Sequence, residues 1–280
     1  MAFVKINNNK VPSYLIIHYL CIKKTIHTMQ RLGFTFLLTL VSLIAASQPL
    51  VVAHRGYWRA EESAQNSIAS FQKAAGIGCW GSEFDVWLTA DGVPVVFHDA
   101  TVEGIRIEDT TYATLMNIRL KNGEFIPTLQ QYLQEAQRWP ECRLIFEVKP
   151  HRNAKRDARI SELSVELVNM LGLASRTDYI SFSKHSCRKL HELAPEAKVA
   201  YLGGDLAPKE IKEMGLTGID YSIGTFDKHP DWPLQAKELG LEVNVWTVDG
   251  EEALSRFATM PGIDIITTND PEILIKMNQR

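Results

Sequence analysis

Cysteine is scarce in this chain: four among 280 residues, at positions 21, 79, 142 and 187. Spacing so irregular makes neither a disulfide framework nor a zinc site, and no cysteine is followed by a histidine at metal-ligand spacing. At most one disulfide would form among Cys79, Cys142 and Cys187, and the sequence does not say which. A long apolar run is lacking too. The most continuous one, Leu32 to Ile44, falls short of the roughly 20 residues a membrane-spanning helix needs. Acidic residues are absent from residues 1–47, which hold five basic ones (Lys5, Lys10, Lys23, Lys24 and Arg31). The whole chain has 30 basic and 33 acidic side chains, so 25 and 33 remain in residues 48–280, a formal charge of −8. A surface that acidic repels a phosphate backbone, which excludes broad nucleic-acid binding. A phosphate-bearing partner would have to be a small molecule met by local positive charge or a metal. With 45% hydrophobic and 22% charged residues, the chain is otherwise that of an ordinary globular protein.

The basic, apolar start has its own reading. From Met29 the sequence has the layout of a secretory signal: Arg31 supplies the positive charge, Leu32 to Ile44 the apolar stretch, and Ala45-Ala46-Ser47 the small residues before a cleavage site. Cleavage is expected after Ser47, with export to the periplasm or the extracellular space and no stable membrane insertion afterwards. Retention of the segment as a tether is the competing outcome. Residues 1–28 sit awkwardly in front of such a signal, as they would if translation began at Met29. The chain therefore divides into a leader, 1–47, and a domain, 48–280.

Within that domain, short β-branched runs alternate with amphipathic stretches, and no Ser/Pro/Gly-rich linker divides them. Strands are predicted at Leu50–His54, Ser82–Leu88, Leu144–Val148, Tyr179–Phe182, Val199–Leu202, Gly218–Ser222, Glu242–Val248 and Ile263–Ile266. Helices are predicted at Ser67–Ala75, Leu129–Arg138, Arg156–Leu171, Lys184–Leu193, Pro208–Met214, Leu234–Leu239, Glu251–Ala258 and Pro271–Met277. This alternation implies a parallel sheet. Eight strands in about 230 residues fit an α/β TIM (β/α)8 barrel, and an open doubly wound sheet is the competing architecture.

A further run, Val93–Phe97, follows Leu88 too closely for a parallel crossover, so it has to return as a hairpin. Asp91-Gly92 signals a two-residue turn. That register would place His98 opposite Asp85, with Glu83 on the same face of its strand.

Polar residues then gather at the predicted strand ends, where a barrel builds its active site. These are His54 and Arg55 on the first strand, Glu83 and Asp85 on the second, His98 on the returning hairpin, and Glu147 and Lys149 on the third. Three hard oxygen ligands suit one divalent cation, Ca²⁺ or Mg²⁺, and two imidazoles suit proton transfer near neutral pH. Arg55 and Lys149 would neutralise a phosphate. Each group alone has a plainer reading: a surface histidine, a solvated strand face, a simple Glu147–Lys149 pair. Phe84 and Val86 alternate with the carboxylates, however, which turns the acids toward the barrel interior, where an unpaired charge is costly.

The motifs in which these residues stand are His54-Arg55-Gly56, Gln65-Asn66-Ser67, Glu83-Phe84-Asp85-Val86, Thr89-Ala90-Asp91-Gly92, Val95-Val96-Phe97-His98-Asp99, Pro127-Thr128-Leu129 and Glu147-Val148-Lys149. Ser181-Phe182, Asn244-Val245-Trp246-Thr247 and Thr267-Thr268-Asn269-Asp270-Pro271 follow. In that order they resemble the glycerophosphodiester phosphodiesterase family over essentially all of residues 50–277. The resemblance implies a TIM barrel with a short insertion, here about Ala100 to Ile126. It also implies metal-dependent hydrolysis of small glycerophosphodiesters to glycerol 3-phosphate and an alcohol. By its pattern Glu83, Asp85 and Glu147 would hold the metal, and His54 and His98 would be the catalytic acid/base pair. Arg55 and Lys149 would bind the substrate phosphate, with Asn66 supporting that side next to the metal. Trp246 would face glycerol or the leaving group, or serve only as a core residue. One departure is Gln65, where the family commonly has Glu, which removes a charge near the site. Two other classes remain open: a phospholipase D-like hydrolase of lysolipids or sphingomyelin, for which Trp58, Trp80 and Trp87 would form an apolar rim, and an inactive phosphodiester-binding protein. Oligomeric state is left open.

Overall fold

The computed structural model describes residues 48–279; the leader lies outside the described residues. Strands β1 (Leu50–Ala53) and β2 (Gly81–Leu88) are followed by three short ones, β3 (Pro94–Val96), β4 (Thr101–Val102) and β5 (Ile105–Arg106). The series continues with β6 (Arg143–Val148), β7 (Thr177–Ser181), β8 (Val199–Tyr201), β9 (Gly218–Ser222), β10 (Glu242–Trp246) and β11 (Ile265–Thr268). Eight of them, β1, β2 and β6 to β11, pair in parallel with their neighbours, and β1 pairs with both β11 and β2. The ring is therefore closed. This is a TIM barrel, and closure rules out the open doubly wound sheet.

The connecting helices begin where polar caps follow the strands. Ser67 Oγ accepts from Ser70 N ahead of Ile68–Gly76, Thr128 and Gln131 form a capping box ahead of Leu129–Ala136, and Ser183 Oγ accepts from Ser186 N ahead of Lys184–Leu193. One helix of the barrel ring, Ile223–Lys228, is absent from the sequence reading, as is Tyr112–Leu115 of the insertion. The former is one short turn and a half started by Ser222, too brief to show an amphipathic period. The expected last strand, Ile263–Ile266, lies at Ile265–Thr268 instead. Ile263 closes the turn after the preceding helix by donating to Met260 O, while Thr267 and Thr268, polar and buried, belong to the strand. Hydropathy ends the strand too early wherever polar residues point into the barrel.

Two cores hold the barrel. Between strands and helices, Phe84 lies 4.6 Å from Tyr132 and 4.8 Å from Phe146, ring centre to ring centre. Inside the barrel Val52, Ile145, Ile180, Leu202 and Ile265 pack together. With Phe84 and Val86 in the outer core, the alternating Glu83 and Asp85 face the interior, as the two-residue period requires.

The hairpin differs from its expected register. Val86 pairs with Val96, Trp87 with Val95 and Leu88 with Pro94, and Thr89 N donates to Val93 O. The loop is therefore Ala90-Asp91-Gly92, one residue longer than the Asp-Gly signal alone implies. Gly92 takes φ +82°, the left-handed residue that closes three-residue hairpins. Asp91 Oδ1 accepts from Thr89 Oγ1 and from Tyr112 N, so its side chain is committed to holding this longer loop. Asp85 consequently faces Phe97, whose N donates to Asp85 O, and not His98. His98 reaches the site because the chain leaves the strand after Val96.

The insertion follows, with β4, β5 and the short helix Tyr112–Leu115. Its Ile107, Leu115, Ile118, Leu120 and Ile126 form a small core of their own with Trp87 and Val95. Glu108, buried beneath it, accepts from Arg156 Nε at 2.9 Å, and Arg156 also donates to the carbonyls of Leu88 and Thr89. The insertion is thereby tied to the end of β2.

Candidate active site

At the end of β1 the backbone turns through two consecutive left-handed residues, Arg55 at φ +56° and Gly56 at φ +74°. Only glycine fits the second position, because a Cβ there would lie 2.7 Å from the Ser70 carbonyl carbon. The turn aims the Arg55 amide at Glu83 Oε2, 2.7 Å away. It opens onto a cavity of about 210 Å³ at the carboxyl ends of the strands. His54, Arg55, Glu83, His98, Glu147 and Lys149 line one side, and Ile180, Phe182, Leu202, Asp220, Trp246 and Thr267 the other.

Glu83, Asp85 and Glu147 are buried and bring carboxylate oxygens within 4.8 Å of one another. Lys149 Nζ is 2.7 Å from Asp85 Oδ1 and 2.8 Å from Glu147 Oε1. One ammonium cannot satisfy three buried carboxylates. Burial and the neighbouring acids push Glu83 well above the usual carboxylate range and Glu147 up to about 8. Burial opposes the charge of Asp85 too, but Lys149, His98 and Asn66 outweigh it and hold that carboxyl low. Lys149 is kept charged against its burial by Asp85 and Glu147. Glu83 Oε1 is buried without a hydrogen-bond partner. Hard oxygens, a charge deficit and an orphaned carboxylate atom fit a divalent cation.

Asn66 takes a supporting place and not a substrate contact. It is wholly buried, donates to Asp85 Oδ2 at 2.7 Å, and accepts from Asp85 N at 3.2 Å. Both ends of its amide are used on Asp85 alone. Arg55 approaches Asp85 from its other oxygen, with Nε 3.9 Å from Asp85 Oδ2 and Nη1 donating to Gln65 Oε1 at 2.9 Å. Gln65 thus holds the guanidinium without neutralising it.

The two histidines are held differently. Asn269 Oδ1 accepts from Trp58 Nε1 at 2.7 Å, while its Nδ2 donates to Asp249 Oδ2 at 2.7 Å. An indole only donates and a carboxylate only accepts, so the orientation of this amide is fixed. His54 Nδ1, 3.0 Å from Asn269 Oδ1, must then be the donor, which leaves the lone pair on Nε2. Burial, and secondarily Arg55, lowers the His54 pKa to about 4 against the opposing pull of Asp85 and Asn269. His98, one-third exposed, contacts Asp99 Oδ1 through Nδ1 at 2.6 Å. Its pKa is also lowered, by burial first, but Asp85 and Asp99 work to raise it.

A neutral imidazole with a free Nε2, a second imidazole paired to a carboxylate, and two cationic side chains beside an acidic triad are groups with which a phosphodiester could be bound and cleaved. Comparison with known proteins agrees: residues 54–273 match the Glycerophosphoryl diester phosphodiesterase family. The chain belongs to this family. The glycerophosphodiester phosphodiesterase of Caldanaerobacter subterraneus subsp. tengcongensis is 30% identical over 243 residues, covering 81% of this chain and 97% of that protein. The crystal structure of a glycerophosphodiester phosphodiesterase from Parabacteroides distasonis is 47% identical, with a TM-score of 0.82, covering 83% of this chain and 98% of that one. A phosphodiesterase from Oleispira antarctica, solved with its product sn-glycerol-3-phosphate, shares the fold at 22% identity and a TM-score of 0.70.

Several residues of this glycerophosphodiester phosphodiesterase site carry no role in the sequence reading. Asn269 and Asp249 are among them, although both lie at strand ends, where a barrel site is built. His151 is another: its Nε2 accepts from Leu88 N at 2.9 Å and its Nδ1 faces Lys149 O at 2.7 Å. It clips the end of β2 to the end of β6, the two strands bearing the acids. Asp220 is a fourth. The three tryptophans considered for a lipid rim are spent elsewhere. Trp58 holds Asn269, Trp80 packs under Arg143, and Trp87 donates to His98 O.

Proposed function

We propose that this family member hydrolyses glycerophosphodiesters to glycerol 3-phosphate and an alcohol, using His54 as base, His98 as acid and one divalent cation, Ca²⁺ or Mg²⁺. The observation that carries the reading is the pair of histidines on one cavity, one locked with a bare Nε2 and the other backed by Asp99. Glu83, Asp85 and Glu147 would hold the cation, which when bound supplies charge stabilisation for the phosphoryl oxygens. Arg55 and Lys149 seat the phosphate. His54 Nε2 takes the proton of the attacking hydroxyl, which we assign to the glycerol's own 2-hydroxyl, as that oxygen bonds to phosphorus. As the bond to the leaving oxygen breaks, His98 delivers its proton there. In the second stage His98 takes a proton from water, water oxygen opens the cyclic phosphate, and His54 returns the proton to the 2-oxygen. Both histidines end as they began.

On the strength of the leader, we place the protein outside the cytoplasm as the barrel 48–280. The direct test is glycerol 3-phosphate release from the choline, ethanolamine, inositol and glycerol diesters, with Ca²⁺, with Mg²⁺ and with chelator. Release that stops on chelation supports the reading; no release from any diester with either metal sinks it.

The pH profile follows from His54. A base has to be unprotonated, and a His54 pKa of about 4 keeps it so well below 6.5. A bound cation would push in the same direction. The acid limb of kcat/KM should therefore fall near pH 4 and not near 6.5. The same shift affects stability with a definite sign. The unfolded chain protonates this histidine first as pH falls from 6.5, so its contribution is complete above 6.5 and is lost down to about pH 4. An acid limb at 6.5 in the free enzyme would remove His54 from the base's role.

A further inference from the structure

The groups described so far account for one side of the cavity, while the other side contains an acid with no task. Asp220 stands on the inward face of β9 opposite Asn244 of β10. It is 1% exposed, and its Oδ1 is buried without a hydrogen-bond partner. Its neighbour on β10 is mostly engaged elsewhere: Asn244 Nδ2 donates to Thr267 Oγ1 at 2.9 Å and the Thr267 hydroxyl returns to Asn244 Oδ1 at 3.2 Å, so only the second amide hydrogen is left to turn toward Asp220, and Oδ1 stays without a partner. A buried polar atom left unpaired is costly and points to a partner that arrives from outside. Asp220 also borders a smaller void deeper in the barrel, with Ile145, Ala200 and Ile265, which puts it at the inner end of the cavity.

The surroundings specify that partner. Ile180 and Leu202 offer aliphatic walls, and Phe182 and Trp246 meet edge to face at 5.6 Å. Trp246 Nε1 donates to the Asp220 carbonyl at 2.9 Å, which fixes the indole beside the acid. Burial raises the Asp220 carboxyl to about 8, against the pull of Asn244. Near neutral pH it is chiefly the uncharged acid, able to donate and to accept. A neutral hydroxyl on a short carbon chain satisfies such an acid without bringing charge into apolar walls, whereas a quaternary ammonium has no hydrogen to offer Oδ1.

Resting on the function proposed above, we infer that Asp220 is the specificity residue for the glycerol unit, its carboxyl pairing with the free terminal hydroxyl of the substrate's glycerol. Glycerol is the part every substrate shares, so it takes the closed inner end. The leaving alcohol varies and must depart, so it takes the open side, where Phe182 is 38% exposed. An acyl ester on that terminal hydroxyl removes the hydrogen bond and has no room in about 210 Å³. The site therefore selects deacylated diesters over lysophospholipids.

The test compares glycerophosphocholine with its propane-1,2-diol analogue, which keeps the 2-hydroxyl but lacks the terminal one. The wild-type protein should favour the glycerol diester by about tenfold or more in kcat/KM. Asp220→Ala should lose that preference by losing activity on the glycerol diester alone, chiefly in KM. Asp220→Asn, which can still donate and accept, should keep most of it. Equal use of both substrates by the wild type overturns the inference without needing any variant. So does an equal loss on both in Asp220→Ala, the mark of a purely structural acid. No turnover of either substrate, or of any other diester, would instead overturn the parent reading and this one with it.

Discussion

Alanine in place of His54 should lower kcat/KM by about 10²- to 10⁴-fold, and alanine in place of His98 by a similar factor. The two losses should be distinguishable. The proton that His98 delivers is needed when the departing group is a poor one, such as the alkoxide of choline or ethanolamine. It is superfluous when the departing group is a nitrophenolate, which is stable as an anion. A nitrophenyl diester should thus restore the first stage in His98→Ala, read as nitrophenolate release, while opening of the cyclic phosphate, for which His98 takes the proton from water, stays slow and the cyclic product accumulates. It should do nothing for His54→Ala, since deprotonation of the attacking hydroxyl is required with every substrate. Neither change removes a core side chain, so thermal unfolding should move little. Near-normal turnover of the choline diester by His98→Ala would refute the acid assignment, and nitrophenolate release restored in both variants would refute the division of labour.

Divalent cation should raise the melting temperature of the metal-free protein by about 5–10 °C. A ligand at about 100 times its dissociation constant stabilises the folded state by about 2.7 kcal/mol, and a domain of this size gains about 2–4 °C per kcal/mol. The physical source is the charge deficit around Glu83, Asp85 and Glu147, where Lys149 is the sole close ammonium among the described residues. Asp85→Asn should abolish both the shift and the turnover, because it removes the acid that holds its charge most firmly and leaves Asn66 facing an amide. Comparing Ca²⁺ with Mg²⁺ titrations would identify the better fitting ion. A protein that neither ion stabilises and whose activity survives chelation would have no metal in its mechanism.

Much of this architecture was legible from periodicity. The Phe84/Val86 alternation correctly turned Glu83 and Asp85 inward, and the strand-end positions of His54, Glu147 and Lys149 brought them to one cavity because a barrel leaves them nowhere else to point. The hairpin was not legible in the same way. Asp91-Gly92 serves two-residue and three-residue turns alike, and the choice is made by the Asp91 carboxylate reaching Thr89 and Tyr112, contacts with no local pattern. Strand β11 was misplaced because Thr267, which faces the barrel interior, and Thr268, buried on the other face, look like a loop to any reading based on hydropathy. Asn269 lacked a signal for a different reason: an amide becomes informative only when its donors and acceptors are known, and those come from Trp58 and Asp249, far away along the chain. Asp220 in a short alternating run reads as an ordinary polar strand residue until its side of the strand is seen to be sealed.

The bond between His54 and Asn269 joins residues 215 positions apart, across the seam where the first strand meets the last. A growing or partly folded chain can assemble the acidic triad early, since β2 and β6 are neighbours, but His54, the base we propose, stays unoriented until the last strand docks. Onset of turnover during refolding is therefore a clock for ring closure, and should lag behind the recovery of secondary structure. For the same reason, clipping the chain before β11 should leave a species with most of its strands and none of its chemistry, so a nascent enzyme stays silent until the whole polypeptide has been made.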